Sequence, residues 1–357
     1  MNYAKINPTL IQSAAAGSGP DVVKVFQPWL TQPVEAGTLQ PLNDLLAAWP
    51  EAERQDFVFP LTSTTYKGET FSLLHELRTD LFWHRKDILD KAGLSVPKTW
   101  EEVAQTAGKI ATNRLIGYGV GASSQQGAAA IAEWFHPMIW GAGGELFDAD
   151  GNATINSDAG VRALQWLREL VRVHKGAPAS IASITTEGQL DGVKSGTIAM
   201  TTDQSTRLSS ARAGEGIGAN LATGPVPFFE GKSSATGSSG WTLGIGKHSK
   251  NRDAAWAFIR HYLSAPSQVT DARLSASLPS RKSAYNDAFF STEAGREMKG
   301  WADYMGVAGR MPHMPESYPR LIELEAIAIQ KVLLSDANPK AALDEAVKAY
   351  NGGTRKG

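Results

Sequence analysis

The chain has 357 residues, 35 Lys and Arg against 36 Asp and Glu, a net charge of −1, and 42% hydrophobic residues. That length favours two domains over one, and that apolar content is too high for disorder. The charges are scattered, so no basic patch points to nucleic acid or an anionic membrane, and the absence of cysteine excludes disulfides, thiolate catalysis and Cys-ligated metal centres. No apolar run approaches the ~18–20 residues of a membrane span. The opening MNYAKINPTL has none of the three parts of a signal peptide, and the segment after it reads like the middle of a domain.

In chain order, residues 9–16 predict a short helix that GSGPD at 17–21 ends, and Val22 to Phe26 reads as a buried parallel strand. Helix signals follow at 41–49, strand-like pieces at 57–75 around a Lys67-Gly68-Glu69 turn, a strand at Leu81–Trp83, and a helix from Lys86 to Ala92 stopped by Gly93. Thr99 and Glu102 form a capping box, with Val103, Ala107 and Ile110 on one helical face behind it. Gly117–Val120 is strand-like, and 127–140 is helical, interrupted by Pro137 and closed by GAGG. Asp158 is placed to cap a helix carrying Leu164, Leu167, Leu170 and Val171 on one side; a helix at 187–195 and a strand at Thr197–Thr201 come next. Asn251 is placed to cap a helix striped with Ala255, Phe258, Ile259 and Tyr262, and helices near 317–334 and 338–350 close the chain. Short strands alternating with helices predict an α/β architecture with mostly parallel sheets, in two domains without a long linker. Clefts at domain junctions are favoured ligand sites.

Catalytic motifs fail one by one. GKSS at 231–234 would need an earlier glycine where Val226 stands, GAGG lacks dinucleotide spacing, His75-Glu76 has no second histidine four residues on, and no G-x-S-x-G occurs. The seven histidines are scattered and read as solvated or structural, so no metal and no cofactor are expected. The stretch 233–245, SSATGSSGWTLGI, has two readings: a flexible loop leading to a buried Trp, or small residues and an indole forming a floor for a polyhydroxylated molecule. Trp134, Trp140 and Trp241 sit at or beside breaks, where a ring can face a ligand, whereas Trp166 and Trp256 lie in amphipathic helices and read as core. Arg78, Asp80, Asp203, Gln204 and Arg310 read as strand-end or loop residues, suited to paired hydrogen bonds with hydroxyls or an anion.

Several segments in order, GSGPDVVKV (17–25), LFWHRKDILDKAGLSVPKTWEEV (81–103), GAGGELFDADGNATINSDAGVRALQWL (141–167), SGTIAMTTD (195–203), SSGWTLGIGKHSKNRDAAWAFIRHYLS (238–264), LPSRK (278–282), GRMPHMPESYP (309–319) and NPKAALDEAVKAYN (338–351), resemble the extracellular solute-binding proteins of family 1. These are the substrate-binding subunits of sugar ABC importers. The resemblance covers essentially the whole chain. It implies a two-lobe periplasmic-binding-protein fold of class II type, hinged, with a sugar in the interlobe cleft and no catalysis. Hinge crossings are expected near 76–82, 238–243 and 306–312, giving lobes of 1–79 plus 243–306 and of 80–242 plus 307–357. The family's signal peptide, first strand and first helix have no counterpart before residue 9, and its usual Tyr-Asn after the second-lobe strand is Trp83-His84.

Carried over residue by residue, the resemblance implies ligand contacts from Trp241 by stacking and Gly240 beside it, from Asp80 as the hydroxyl-accepting acid, and from Gln27, Trp140, Gly141, Asp203, Gln204, Arg310 and Tyr318. The implied partners are a sugar or sugar derivative and the ABC permease subunits, the location periplasmic or extracellular, and the chain is expected to act as a monomer. Two other readings stand beside it. One is a binding protein for an anionic sugar derivative, a polyol phosphate or a peptide, suggested by Arg78 and Arg310. The other is a carbohydrate-active hydrolase, which needs two carboxylates ~5–10 Å apart.

Overall fold

A computed structural model describes residues 6–124, 129–312 and 314–354; the first residues of the helix expected over 127–140 lie outside them. The chain divides into two compact units, one made of Met1–Thr79, Ser238–Val307 and Met311–Glu316, the other of Asp80–Gly237, Ala308–Arg310 and Ser317–Gly357. The strands are β1 (Val22–Phe26), β2 (Thr65–Tyr66), β3 (Glu69–Thr70), β4 (Ser72–Arg85), β5 (Ile116–Tyr118), β6 (Ile198–Gln204), β7 (Leu221–Gly224), β8 (Thr236–Ile245), β9 (Leu278–Pro279) and β10 (Gly309–Arg310). Leu81–Trp83 is thus the interior of a strand of 14 residues, and both β4 and β8 pass from one unit into the other within their length.

In the first unit β8 pairs antiparallel with β1, from Val22 opposite Ile245 to Phe26 opposite Trp241, and on its other side with β4, from Ser72 opposite Gly244 to Thr79 opposite Ser238. Side chains alternate across a strand, so Val23 and Val25 face one side, where Leu10, Leu30 and Leu39 cover them. Leu73, Leu243 and Ile245 face the other, under Trp256, Ile259 and Leu263 of the helix Arg252–Tyr262 and its end. Asn251 occupies that helix's N-cap without a side-chain bond to it; its amide donates to Asp21 at 3.3 Å instead.

The small-residue stretch is therefore a strand and not a loop. The backbones of β8 and β4 approach too closely for side chains: a Cβ on Gly240 would lie 2.1 Å from the carbonyl oxygen of Glu76. Pairing with β1 and with residues 72–79 also draws Ser238–Thr242 into the first unit, so the expected change of lobe at 242/243 falls at 237/238. Residues 311–316, expected in the second lobe, group with the first, and Thr31 Oγ1 donates to the Met314 carbonyl at 3.0 Å.

In the second unit the far half of β4 pairs antiparallel with β6 (Asp80 opposite Gln204) and with β7, while β5 runs parallel to β6 and β10 parallel to Thr236–Gly237. The mostly parallel sheet expected from the alternation of elements does not form. Among the ten strands named above only β5–β6 and β8–β10 pair in parallel, beside one isolated parallel bridge between Thr99 and Phe228, because the neighbours of β4 all return to it in the opposite direction. The capping box closes as read: Thr99 Oγ1 accepts from Glu102 N at 3.1 Å, and the Glu102 carboxylate accepts from Thr99 N at 3.2 Å. Asp158 is the first residue of the helix Asp158–Arg172 and Ser157 its N-cap, one position earlier than expected. Trp100, Tyr118 and Trp166 build an aromatic core, with Trp100 and Trp166 ring centroids 4.9 Å apart.

Candidate ligand-binding site

In the first unit, the face of β1–β8–β4 that the helix Arg252–Tyr262 covers at one end carries rings and charges at the other. Phe26 and Trp241, directly opposite across the strands, have ring centroids 5.5 Å apart, and Trp29 meets Phe26 edge-on at 5.6 Å. Lys24 Nζ lies 4.9 Å from the Trp241 centroid, and the Arg78 guanidinium carbon 4.4 Å from that of Phe26. Arg78 Nε donates to Ser239 Oγ at 2.8 Å, which fixes its fork beside the rings. Trp241 is half-buried, so its indole is held by its neighbours and still reaches solvent. Sugar rings stack on such surfaces through their apolar C–H faces, while cationic groups at the rim meet hydroxyls or anions.

The other two residues expected here do different work. Gly240 is consumed by strand packing. Gln27 is buried, its Nε2 donating to the Ser63 carbonyl at 3.0 Å, and its Oε1 is buried without a hydrogen-bond partner among the described residues.

In the second unit, Asp80, Trp140 and Arg310 converge on Gly237. Asp80 is not at a strand end but mid-strand in β4, and its carboxylate lies so close over Gly237 that a Cβ there would sit 2.3 Å from Oδ2 and 3.8 Å from Trp140 Cζ3. The Arg310 guanidinium lies 6.0 Å from the Trp140 centroid, and its Nη2 donates to Glu145 Oε1 at 2.5 Å. Gly141 packs against the carbonyl of Ser233, 3.1 Å from where its Cβ would be.

Asp203 and Gln204 form a second, buried group. Asp203 is fully buried; Oδ1 accepts from Gln204 N at 2.7 Å and Oδ2 from Gln189 Nε2 at 3.1 Å, with Arg207 Nη1 3.5 Å from Oδ1. Burial, reinforced by the Glu133 carboxylate, pushes the Asp203 carboxyl up to about 7. Gln204 Nε2 donates to Glu133. Asp203 is thus a buried network residue, whereas Gln204 stands opposite Asp80 on the neighbouring strand.

Tyr318 is buried against His136, its hydroxyl 3.4 Å from Nδ1. Trp134, expected to face a ligand, is fully buried and donates Nε1–H to the Gly121 carbonyl at 2.9 Å. A cavity of about 580 Å³ in the first unit, lined by Trp49, Glu53, Asp56, Arg260 and Arg281 among others, includes none of the expected residues. Sequence reading missed Lys24, Phe26 and Trp29. The alternation in VVKVF does place Lys24 and Phe26 on one face, but nothing local says that Trp241 lies beside them.

Two α/β units joined by strands that run through both, each presenting aromatic and polar side chains, define the architecture of a solute-binding protein. The chain belongs to the bacterial extracellular solute-binding protein family, whose sequence model matches residues 3–269. Among curated proteins it is similar to a probable ABC transporter-binding protein of Deinococcus radiodurans, 26% identical over 258 residues; the match takes in 70% of this chain and 60% of that relative's length. Among solved structures it is similar to the GacH receptor of Streptomyces glaucescens, solved unliganded and with acarbose and an acarbose homolog (26% identity, TM-score 0.81, 99% of this chain and 88% of that one). The cyclic α-maltosyl-1,6-maltose binding protein of Arthrobacter globiformis shares the fold (22% identity, TM-score 0.83, 99% and 89%). Among the described residues no helix is long and apolar enough to cross a membrane.

Proposed function

We propose that this chain is the substrate-binding component of an ABC importer that takes a sugar or sugar derivative outside the cytoplasmic membrane, in the periplasm or extracellular space, and delivers it to a membrane permease. The observation that carries the reading is the face formed by Trp241, Phe26 and Trp29 with Arg78 beside it, a stacking surface with a fixed hydrogen-bond donor at its rim. Family membership and the likeness to the acarbose-binding receptor support the ligand class. In this reading Trp241 of the first unit stacks on the sugar while Arg78 donates to it at the rim. The function is binding, with no bond broken.

Arg78 at the aromatic face favours a second reading, an anionic sugar derivative or polyol phosphate, over a wholly neutral ligand; Lys24 adds less, because Glu76 Oε1 lies 3.7 Å from its Nζ. Arg310 contributes less to it than expected, since Glu145 already engages its guanidinium.

The test is calorimetric titration with neutral mono-, di- and oligosaccharides and with sugar phosphates and uronic acids. Saturable binding of a neutral sugar that Arg78→Ala leaves intact supports the first reading. Binding restricted to anionic sugars and weakened by Arg78→Ala supports the second. No binding across the panel rejects both, and degradation of a bound oligosaccharide on chromatography would make the chain an enzyme.

A further inference from the structure

His75, Glu76 and Asp271 come together in the first unit. One ligand atom from each, an imidazole nitrogen and two carboxylate oxygens, lies within 4.8 Å of the other two. Nothing in the sequence signals this, since Asp271 is remote and two consecutive strand residues ordinarily point to opposite faces. A bulge makes the difference. The pairing of β4 with β8 shifts register between Leu74 and Glu76, and bulges re-aim side chains. His75 Nδ1 then lies 3.9 Å from Glu76 Oε2. Asp271 reaches the same place from the helix Ala265–Ser275, which is tied to the bulge by the Gln268 amide, donating to the His75 carbonyl at 3.0 Å.

The independent observation is the imidazole. His75 is only 2% exposed, yet among the described residues neither of its ring nitrogens has a hydrogen-bond partner. Buried polar groups are almost always satisfied, and an unsatisfied one is costly. The ring packs edge-on against Tyr262, centroids 5.3 Å apart. The carboxylates are already oriented from behind. Lys24 Nζ lies 3.7 Å from Glu76 Oε1, while Ser277 Oγ donates to Oε2 at 3.3 Å and Ser275 Oγ to Asp271 Oδ1 at 3.4 Å. Such outer hydrogen bonds are what orient metal ligands.

We infer that His75, Glu76 and Asp271 bind a divalent transition-metal ion, with Zn²⁺ as the fitting probe, clamping the bulge of β4 to the helix Ala265–Ser275. One imidazole and two carboxylates suit a borderline ion; Mg²⁺ and Ca²⁺ prefer all-oxygen shells. Ligand atoms around tetrahedral zinc lie about 3.3 Å apart, so the two carboxylates draw in by roughly 1.5 Å at most on binding, within the reach of their side-chain rotamers.

The test uses the full, untagged chain after treatment with a chelator. Calorimetry with ZnCl₂ is expected to show one site, and saturating zinc to raise the melting temperature by about 5–10 °C, the rise expected of a unit this size at some hundred times the dissociation constant. Co²⁺ is expected to give the visible d–d bands of a low-symmetry nitrogen–oxygen site, and excess Mg²⁺ or Ca²⁺ to leave zinc bound. His75→Ala and Asp271→Asn are each expected to weaken zinc at least tenfold, while His261→Ala, at an exposed histidine on another helix, leaves it unchanged. Should His75→Ala fail to fold, Asp271→Asn decides alone, because that residue is partly exposed. Absence of a zinc site in the parent chain, or equal affinity in Asp271→Asn, overturns the assignment. Neither result bears on sugar binding, which is read by a different titration.

Discussion

Replacing Trp241 by Ala separates what the indole does for the fold from what it does for a ligand. In the folded chain it meets Phe26 at 5.5 Å with the ring planes inclined at 50°, and it carries the Lys24 ammonium at 4.9 Å. An aromatic pair is worth about 0.5–1.5 kcal/mol beyond area burial, and a cation over an exposed ring about 0.5–1 kcal/mol. With the lost strand preference of a Trp, up to about 1 kcal/mol, the unliganded protein is expected to lose about 1–3 kcal/mol. Binding is a separate contribution: a lost stacking contact of about 1–1.5 kcal/mol weakens the dissociation constant roughly five- to twelvefold. Urea unfolding followed by circular dichroism reads the first, and calorimetric titration with the best sugar of the panel reads the second. Trp241→Phe keeps a ring opposite Phe26 and is expected to recover most of the stability and part of the affinity. A stability loss as expected with unchanged affinity would refute the stacking role and leave Trp241 as a packing residue of β8.

Gly240→Ala drives a methyl to 2.1 Å from the Glu76 carbonyl and 2.9 Å from Leu74 Cδ2, and is expected to destabilise by about 1–3 kcal/mol. Gly300→Ala, in the helix Glu293–Ala308 with nothing within 4 Å of the new Cβ, is expected to stabilise by about 0.5–1 kcal/mol, both read by urea unfolding. His136→Leu leaves the Glu325 carboxylate, at 0% exposure, without the imidazole that lies 2.9 Å from its Oε2; about 3–5 kcal/mol is expected to be lost, against about 1 kcal/mol for Glu325→Gln. The Asp203 carboxyl is raised in the folded state from 3.8 to about 7, so the folded chain holds that proton more tightly than the unfolded chain does. The resulting stability is present below about 4 and lost as pH rises through 7. Melts at pH 5 and pH 8 are therefore expected to show the parent chain losing ground to Asp203→Asn as pH rises; parallel slopes would disprove the burial effect.

What could be read from the chain, and what could not, divides by the range of the interaction that decides it. The capping box of Thr99 and Glu102, the strand VVKVF and the turn at Gly93 are settled within a few residues, and each forms where it was expected, although VVKVF pairs antiparallel and not parallel. The stretch around Trp241 is not. Its glycines and serines read as a loop because, taken alone, they have no strand propensity. They become a strand because β1 and β4, more than 150 residues away in sequence, close on both sides and leave room only for small residues. The same long-range pairing places Asp80 mid-strand and over Gly237, and sets Phe26 beside Trp241. It also opens the bulge that turns His75 toward Glu76, a pair whose spacing in sequence says only that no zinc-protease motif is present. Local rules therefore find the elements, while the candidate ligand face and the metal cluster both depend on which strands lie against β4. Perturbing β4 pairing at Gly240 should accordingly disturb both, and perturbing the helix caps neither.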